Sequence, residues 1–495
     1  MADAPTTRPT AEPDAEHFDV VVVGAGISGI GAGYHLGARC PDHRYVILEG
    51  REDIGGTWDL FRYPGIRSDS DMHTLGFRFR PWTAPNAIAD GASILEYLRQ
   101  TVAEYGIGEH IRFRHRVTRA SWSSAHDRWT VEATNEATGQ PVRFTCGFLL
   151  MCSGYYEYAK GYTPDFPGVE RFEGRVVHPQ RWTDDIEYAG KRVVVIGSGA
   201  TAVTLVPALA ERAAHVTMLQ RSPSYILSMP SRDPVAERLR RLLPPRKAYW
   251  LIRWKNVALA GLLYTLCRRA PGRMRKLLID RVREQLGPDF DVDPHFTPHY
   301  NPWQQRLCLV PDGDLFQAIR EGRASVVTDH IETFTPRGIR LRSGDELEAD
   351  LVVTATGLDM RFLGGVALTV DGRPVDLTQT MTYKAMMLSD VPNLALSFGY
   401  TNASWTLKAD LTSEYVCRLL GHMRRHGYRR CTPRVGDTDV VEVPFLDLDA
   451  GYIQRARPKM PKQGSKAPWR LRQNYLLDVL ALRYGAVDDS AMELR

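Results

Sequence analysis

The 495-residue chain has no apolar run near the ~20 residues that cross a bilayer. Its opening seventeen residues, MADAPTTRPTAEPDAEH, lack the apolar centre of a secretory signal and read as a polar, Pro-rich, disordered tail. Seven cysteines, Cys40, Cys146, Cys152, Cys267, Cys308, Cys417 and Cys431, include no C-x-x-C pair. That speaks against a redox dithiol and for a reducing, cytoplasmic setting. No metal site and no nucleic-acid partner are expected. Acidic residues are scarce in one place only. Residues 231–284 hold 15 Lys and Arg against 4 Asp and Glu, a balance of +11 within a chain of net charge +5. The rest of the chain therefore carries −6.

What is present is two phosphate-binding turns. In FDVVVVGAGISGIGAGYHLGARCPDHRYVILEG, an apolar strand over 18–23 leads into Gly24, Gly26 and Gly29, the G-x-G-x-x-G pattern. Gly24 permits the tight turn, Gly26 lets backbone approach a pyrophosphate, and Gly29 lets helix and strand pack closely. The helix start, which includes Ser28, offers N–H groups and a positive dipole end. Glu49 closes the next strand, where it can accept hydrogen bonds from ribose hydroxyls. The second turn, KRVVVIGSGATAVTLVPALAERAAHVTMLQRSPSY, has Gly197, Gly199 and Ala202, with Thr201 between them. Gln220, Arg221 and Ser222 stand where an acid would be. A guanidinium there binds a 2′-phosphate that a carboxylate would repel; the plainer reading of Arg221 is a solvated strand-end cation. The first turn suits FAD or NAD and the second NADPH. The pair implies hydride transfer from NADPH to a flavin.

Between the turns, residues 53–71 (DIGGTWDLFRYPGIRSDSD) are too rich in Gly and aromatics for regular structure. Gly56, Thr57 and Trp58 can lie against a flat ring. Strands are expected near 111–113, 117–122 (with Val117 at the cofactor), 129–132 and 142–151, and a helix near 405–424. Residues 172–182, FEGRVVHPQRW, read as neither strand nor long helix.

This last stretch, Phe172-x-Gly174-x-x-x-His178-x-x-x-Trp182, resembles the fingerprint of Baeyer–Villiger monooxygenases, although Thr183 departs from the Pro or Asp that often follows. Gly55, Gly56, Trp58, Tyr63, Pro64, Gly65 and Asp69 meet a second signature of that family. The resemblance spans nearly the whole chain. It implies an enzyme that binds FAD, consumes NADPH and O2, and inserts one oxygen atom into a ketone through a C4a-peroxyflavin, giving an ester or lactone. S-oxygenation of thioamides or sulfides is implied beside it, and a heteroatom-oxygenating flavin monooxygenase is the alternative. Arg306, in NPWQQRLCLV, matches the family's catalytic arginine, and Asp69 the residue near it. His178 is implied to serve domain movement.

The expected fold is α/β, with two Rossmann-like domains and a helical insertion. Residues 18–154 and 366–495 form the FAD-binding domain, 155–230 and 301–365 the NADPH-binding domain, and 231–300 the basic insertion; 1–17 are the tail. The insertion reads as helices broken by Pro244, Pro245 and Pro271. Its bland reading is a solvated basic face, and its sharper one peripheral contact with anionic lipid.

Overall fold

A computed structural model describes residues 15–436 and 439–495. Residues 1–14 of the expected tail lie outside the described residues, and Glu16 and His17 already belong to the first strand.

Two sheets organise the chain. The first has nine strands, and its centre is Pro141–Met151, Glu16–Val23 and Tyr45–Leu48, all parallel. Val20, Val21 and Val22 are fully buried because helices or other strands cover both faces, which explains the unbroken apolar run. On one side, His115–Ser123 and Arg128–Asn135 continue the sheet antiparallel. Leu394–Leu396 pairs with Pro141–Met151, so the C-terminal third returns to this core. The second sheet has five strands, all parallel, in the order Ala324–Thr328, His215–Gln220, Arg192–Ile196, Leu351–Thr354, Arg175–Val177. Each glycine-rich turn follows a central strand of its sheet. This is a doubly wound α/β arrangement, made twice.

Two expectations are corrected. Arg175–Val177 is a strand, parallel to Leu351–Val353 at the edge of the second sheet. Three residues are too few to show a periodicity, and the pairing comes from a segment far along the chain. Within 53–71, Thr57–Leu60 forms one helical turn, begun by Gly56 at φ +56°.

The insertion is helical: Pro234–Leu242, Pro245–Arg269 and Pro271–Leu286. Each begins with proline, whose missing N–H costs nothing in a first turn. The helix near 405 runs over Trp405–His426 and stops at Gly427, which is left-handed at φ +75°.

Two links join the sheets, and they run antiparallel to each other. Glu157 N–H donates to the Asp359 carbonyl (2.8 Å), Tyr162 N–H to Gly357 (3.1 Å) and Arg361 N–H to Tyr155 (2.9 Å). Arg361 also pairs with Glu157 at 2.9 Å. His178 fastens the same place. Its Nε2 lies 3.1 Å from the Gly357 carbonyl, and its Nδ1 accepts the Gln180 N–H at 3.2 Å. The proton is therefore on Nε2, and burial holds the ring below the usual histidine pKa.

Candidate active site

Both turns open onto one cleft of about 1260 Å³. In the first, Gly24 has φ +103°, and a Cβ there would come within 2.7 Å of the Cys152 carbonyl oxygen. A Cβ on Gly29 would overlap the Gly24 carbonyl oxygen, so that glycine is required by packing. Gly26, at the start of helix Ile27–Arg39, is different: its nearest neighbour would be the Gly56 Cα at 3.6 Å. Two glycines thus face each other across the cleft floor, where backbone N–H groups can approach a ligand. In the second turn, a Cβ on Gly197 would strike the Ala355 carbonyl. Gly199, which starts helix Ala200–Ala210, has nothing within 4 Å of that position. Each turn therefore combines a glycine held by packing with one that keeps the helix N-terminus open, as a pyrophosphate requires.

The other expected residues divide into several groups. Glu49 is buried; its oxygens accept the Ala25 N–H (2.7 Å) and the Arg51 N–H (2.9 Å). Burial raises its carboxyl pKa. Thr57, Trp58 and Val117 line the cleft, as do Thr201, Arg221 and Ser222. Ala202 is wholly buried in the core of the second domain and supports the turn from beneath. Ser28 is buried, and its hydroxyl accepts the indole N–H of Trp405 at 2.7 Å. Among the described residues Arg221 forms no ion pair, so its guanidinium is available at the cleft rim.

Arg306 and Asp69 come from distant parts of the chain and meet at 2.6 Å. The reason lies in the segment that precedes Asp69. Phe61 and Tyr63 insert into the core of the second domain. Burial pushes the Tyr63 hydroxyl up to about 12. Gly65, at φ +77°, rests on helix Ala200–Ala210, where a Cβ would lie 2.7 Å from the Ala208 methyl. The signature segment thus packs on the core of the second sheet and carries Asp69 to the loop that holds Arg306. Asp69 and burial act in opposite directions on the guanidinium; the carboxylate dominates and holds it protonated well above the usual arginine range.

Several residues at this point escape sequence reading. Tyr452 lines the cleft with Arg306, and burial pushes its hydroxyl up to about 12. Tyr155 and Tyr156 join hydroxyls at 2.9 Å, and Tyr155 stacks on Trp405 with ring centres 5.1 Å apart. Only a Gly-Tyr-Tyr-Glu run marks the first pair, and nothing local marks Tyr452 or Trp405. No group of His, Cys, Asp or Glu able to hold a metal occurs among the described residues. All seven cysteines are buried and free.

A family model described as flavin-binding monooxygenase-like matches residues 18–236. The chain is 58% identical to the FAD-containing monooxygenase EthA of Mycobacterium tuberculosis, over 96% of its own length and 97% of the relative's. It belongs to the FAD-containing monooxygenases. A second EthA, from Mycolicibacterium smegmatis, is 56% identical over the same shares of both chains. In fold, this monooxygenase is similar to the crystal structure of cyclohexanone monooxygenase from Rhodococcus sp. Phi1 bound to NADP+. The TM-score is 0.74 at 20% identity, covering 97% of this chain and 100% of that one.

Proposed function

We propose that this monooxygenase uses FAD, NADPH and O2 to insert an oxygen atom beside the carbonyl of a small-molecule ketone, giving an ester or lactone, and that it also oxygenates sulfur in sulfides or thioamides. The observation that carries the reading is the Arg306–Asp69 pair on the wall of a cleft shared by two dinucleotide cradles. When bound, the flavin accepts hydride from NADPH and, with O2, supplies the oxygen that is inserted.

The chain's own residues then have separate tasks. The helix starts after Gly26 and Gly199 bind the two pyrophosphates through backbone N–H groups. Glu49 has lone pairs left over from Ala25 and Arg51 for ribose hydroxyls. Arg221 and Ser222 take the 2′-phosphate of NADPH. Arg306 supplies a positive charge that does not vary with pH. Asp69 and Tyr452 hold that charge in place, which matters because preorganised charge in a water-poor cleft stabilises more than mobile charge. Tyr155, Tyr156 and Trp405 form the aromatic wall that limits water beside it. The proposed setting is reducing and cytoplasmic, supported by the seven free thiols.

The test is NADPH oxidation by the FAD-loaded enzyme with a panel of ketones and a thioether, with products and hydrogen peroxide measured together. Ester or lactone matching the NADPH consumed is expected. Sulfoxide with no ester would assign the heteroatom class instead. Peroxide alone with every ketone and thioether would overturn the reading.

A further inference from the structure

The basic insertion presents an apolar stripe that nothing in the chain covers. Along helix Pro245–Arg269, Leu251, Trp254, Leu259, Leu262 and Leu266 are 36–55% exposed. Their spacing of three, five, three and four residues keeps them on one side of the helix, over about 22 Å at 1.5 Å per residue. Ala258 and Gly261 complete the exposed positions, and residues 256–267, NVALAGLLYTLC, hold no charge. The other side is occupied by the fold: Ile252, Arg253, Asn256 and Cys267 are buried. The Arg253 guanidinium donates to the His73 (2.8 Å) and Gly76 (3.0 Å) carbonyls, which fixes the rotation of the helix.

A second segment adjoins the first. The Trp254 ring lies 5.7 Å from that of Tyr475, and the residues that follow, Leu476, Leu477 and Leu480, are also exposed. Six exposed large apolar side chains on one helix, counting Trp250, with three more beside them, exceed the scatter expected on a solvated surface.

Charge identifies the occupant. Arg246 and Lys247 precede the stripe, Arg269 follows it, and Arg241, Arg273 and Arg275 lie on the helices before and after it in the chain. None of these six has an ion-pair partner among the described residues. Three of the four acids of 231–284 are already neutralised: Asp233 by Lys255, Asp280 by Lys276 and Arg283, Glu284 by Arg281. An apolar face bounded at both ends by unpaired cations fits an acyl–headgroup boundary of anionic lipid. A second copy of this chain would oppose cation to cation. The helix cannot cross the bilayer, since no described helix is long and apolar enough.

We infer that this face, helix Pro245–Arg269 together with residues 476–480, lies in the surface of an anionic membrane. The helix also reaches the loop of the candidate site, because Tyr264 packs edge-on against Trp303 at 5.5 Å, three residues before Arg306.

The experiment uses the FAD-loaded enzyme and vesicles of phosphatidylcholine with or without phosphatidylglycerol. Sedimentation with phosphatidylglycerol vesicles is expected at low salt, with little on phosphatidylcholine alone. At about 1 kcal/mol per basic residue near the surface, or roughly five-fold in affinity, Arg246→Glu with Lys247→Glu should weaken binding at least ten-fold. Leu259→Glu with Leu262→Glu should abolish it while FAD content and NADPH oxidation stay normal. Brominated lipid should quench Trp250 and Trp254, a signal lost in the double Phe variant. Absence of sedimentation at low salt, or sedimentation indifferent to both charge and leucine variants, overturns the inference. So does a dimer without vesicle binding that Leu259→Glu with Leu262→Glu splits into monomers.

Discussion

The Arg306 guanidinium stands 2.6 Å from the Asp69 carboxylate, although the two residues lie far apart in the sequence. The pair therefore depends on how the fold places the two segments as well as on its own attraction. Both side chains are partly exposed on the cleft wall, at 37% and 46%, so the pair itself adds little to stability. Its consequences should appear in the reaction. Arg306→Ala is expected to bind FAD and accept hydride from NADPH, yet to lose ester formation by on the order of 10²–10³-fold, the usual loss on removing one preorganised charge or donor. Asp69→Ala keeps the charge and loosens it, so a smaller loss is expected. Stopped-flow flavin reduction followed by product analysis checks both, and a normal ester yield from Arg306→Ala would refute the role given to it.

Arg221 is exposed at the cleft rim without an ion-pair partner among the described residues. A charged hydrogen bond to a 2′-phosphate contributes roughly 1.5–3 kcal/mol, one to two decades of affinity. Arg221→Ala should raise KM for NADPH by about that factor and leave NADH nearly unchanged. Equal losses with both cofactors would make the residue structural.

The two kinds of glycine can be separated by adding a methyl group. Gly29→Ala would force a Cβ onto the Gly24 carbonyl, so reduced stability and loss of bound FAD are expected. Gly199→Ala meets nothing within 4 Å and should fold with full FAD content. Its methyl would occupy space proposed for the NADPH pyrophosphate, so KM for NADPH should rise at least ten-fold. Thermal unfolding and FAD absorbance, with steady-state kinetics for Gly199→Ala, provide the comparison.

His73 predicts a pH dependence. It is buried beside Arg240, and burial first, then that cation, lowers its pKa to about 4. The folded state favours the neutral ring, while the unfolded chain titrates near the ordinary 6.5. Stability from this group is complete above about pH 6.5 and falls as pH drops toward about 4, by about 3 kcal/mol in all. His73→Gln should flatten the Tm-against-pH curve in that window. An unchanged slope would remove His73 from the account.

Both glycine-rich turns are legible in the sequence because each is local: strand, turn, helix and next strand fall within about thirty residues. Arg221 is legible for the same reason. Arg306 and Asp69 have no local signal that joins them, and only their family motifs suggest a pairing. Tyr452 and Trp405 carry no signal at all, because what brings them to the cleft is the return of the C-terminal third to the first sheet. The strand Arg175–Val177 is hidden likewise, since its partner lies at 351–353. Helices of the insertion are readable from their prolines. Which faces they leave uncovered is a tertiary property, and the exposed leucines after Tyr475 are seen only once Trp254 is placed beside them.

The paired links between the sheets have a mechanical consequence. A single tether would let one domain swivel freely against the other. Two antiparallel segments laced by the Glu157–Asp359, Tyr162–Gly357 and Arg361–Tyr155 hydrogen bonds make a doubled link. The two sheets are thereby joined by a doubled tether, so neither link can shift without disturbing the other. His178 adds a further fastening to this doubled link, at Gly357.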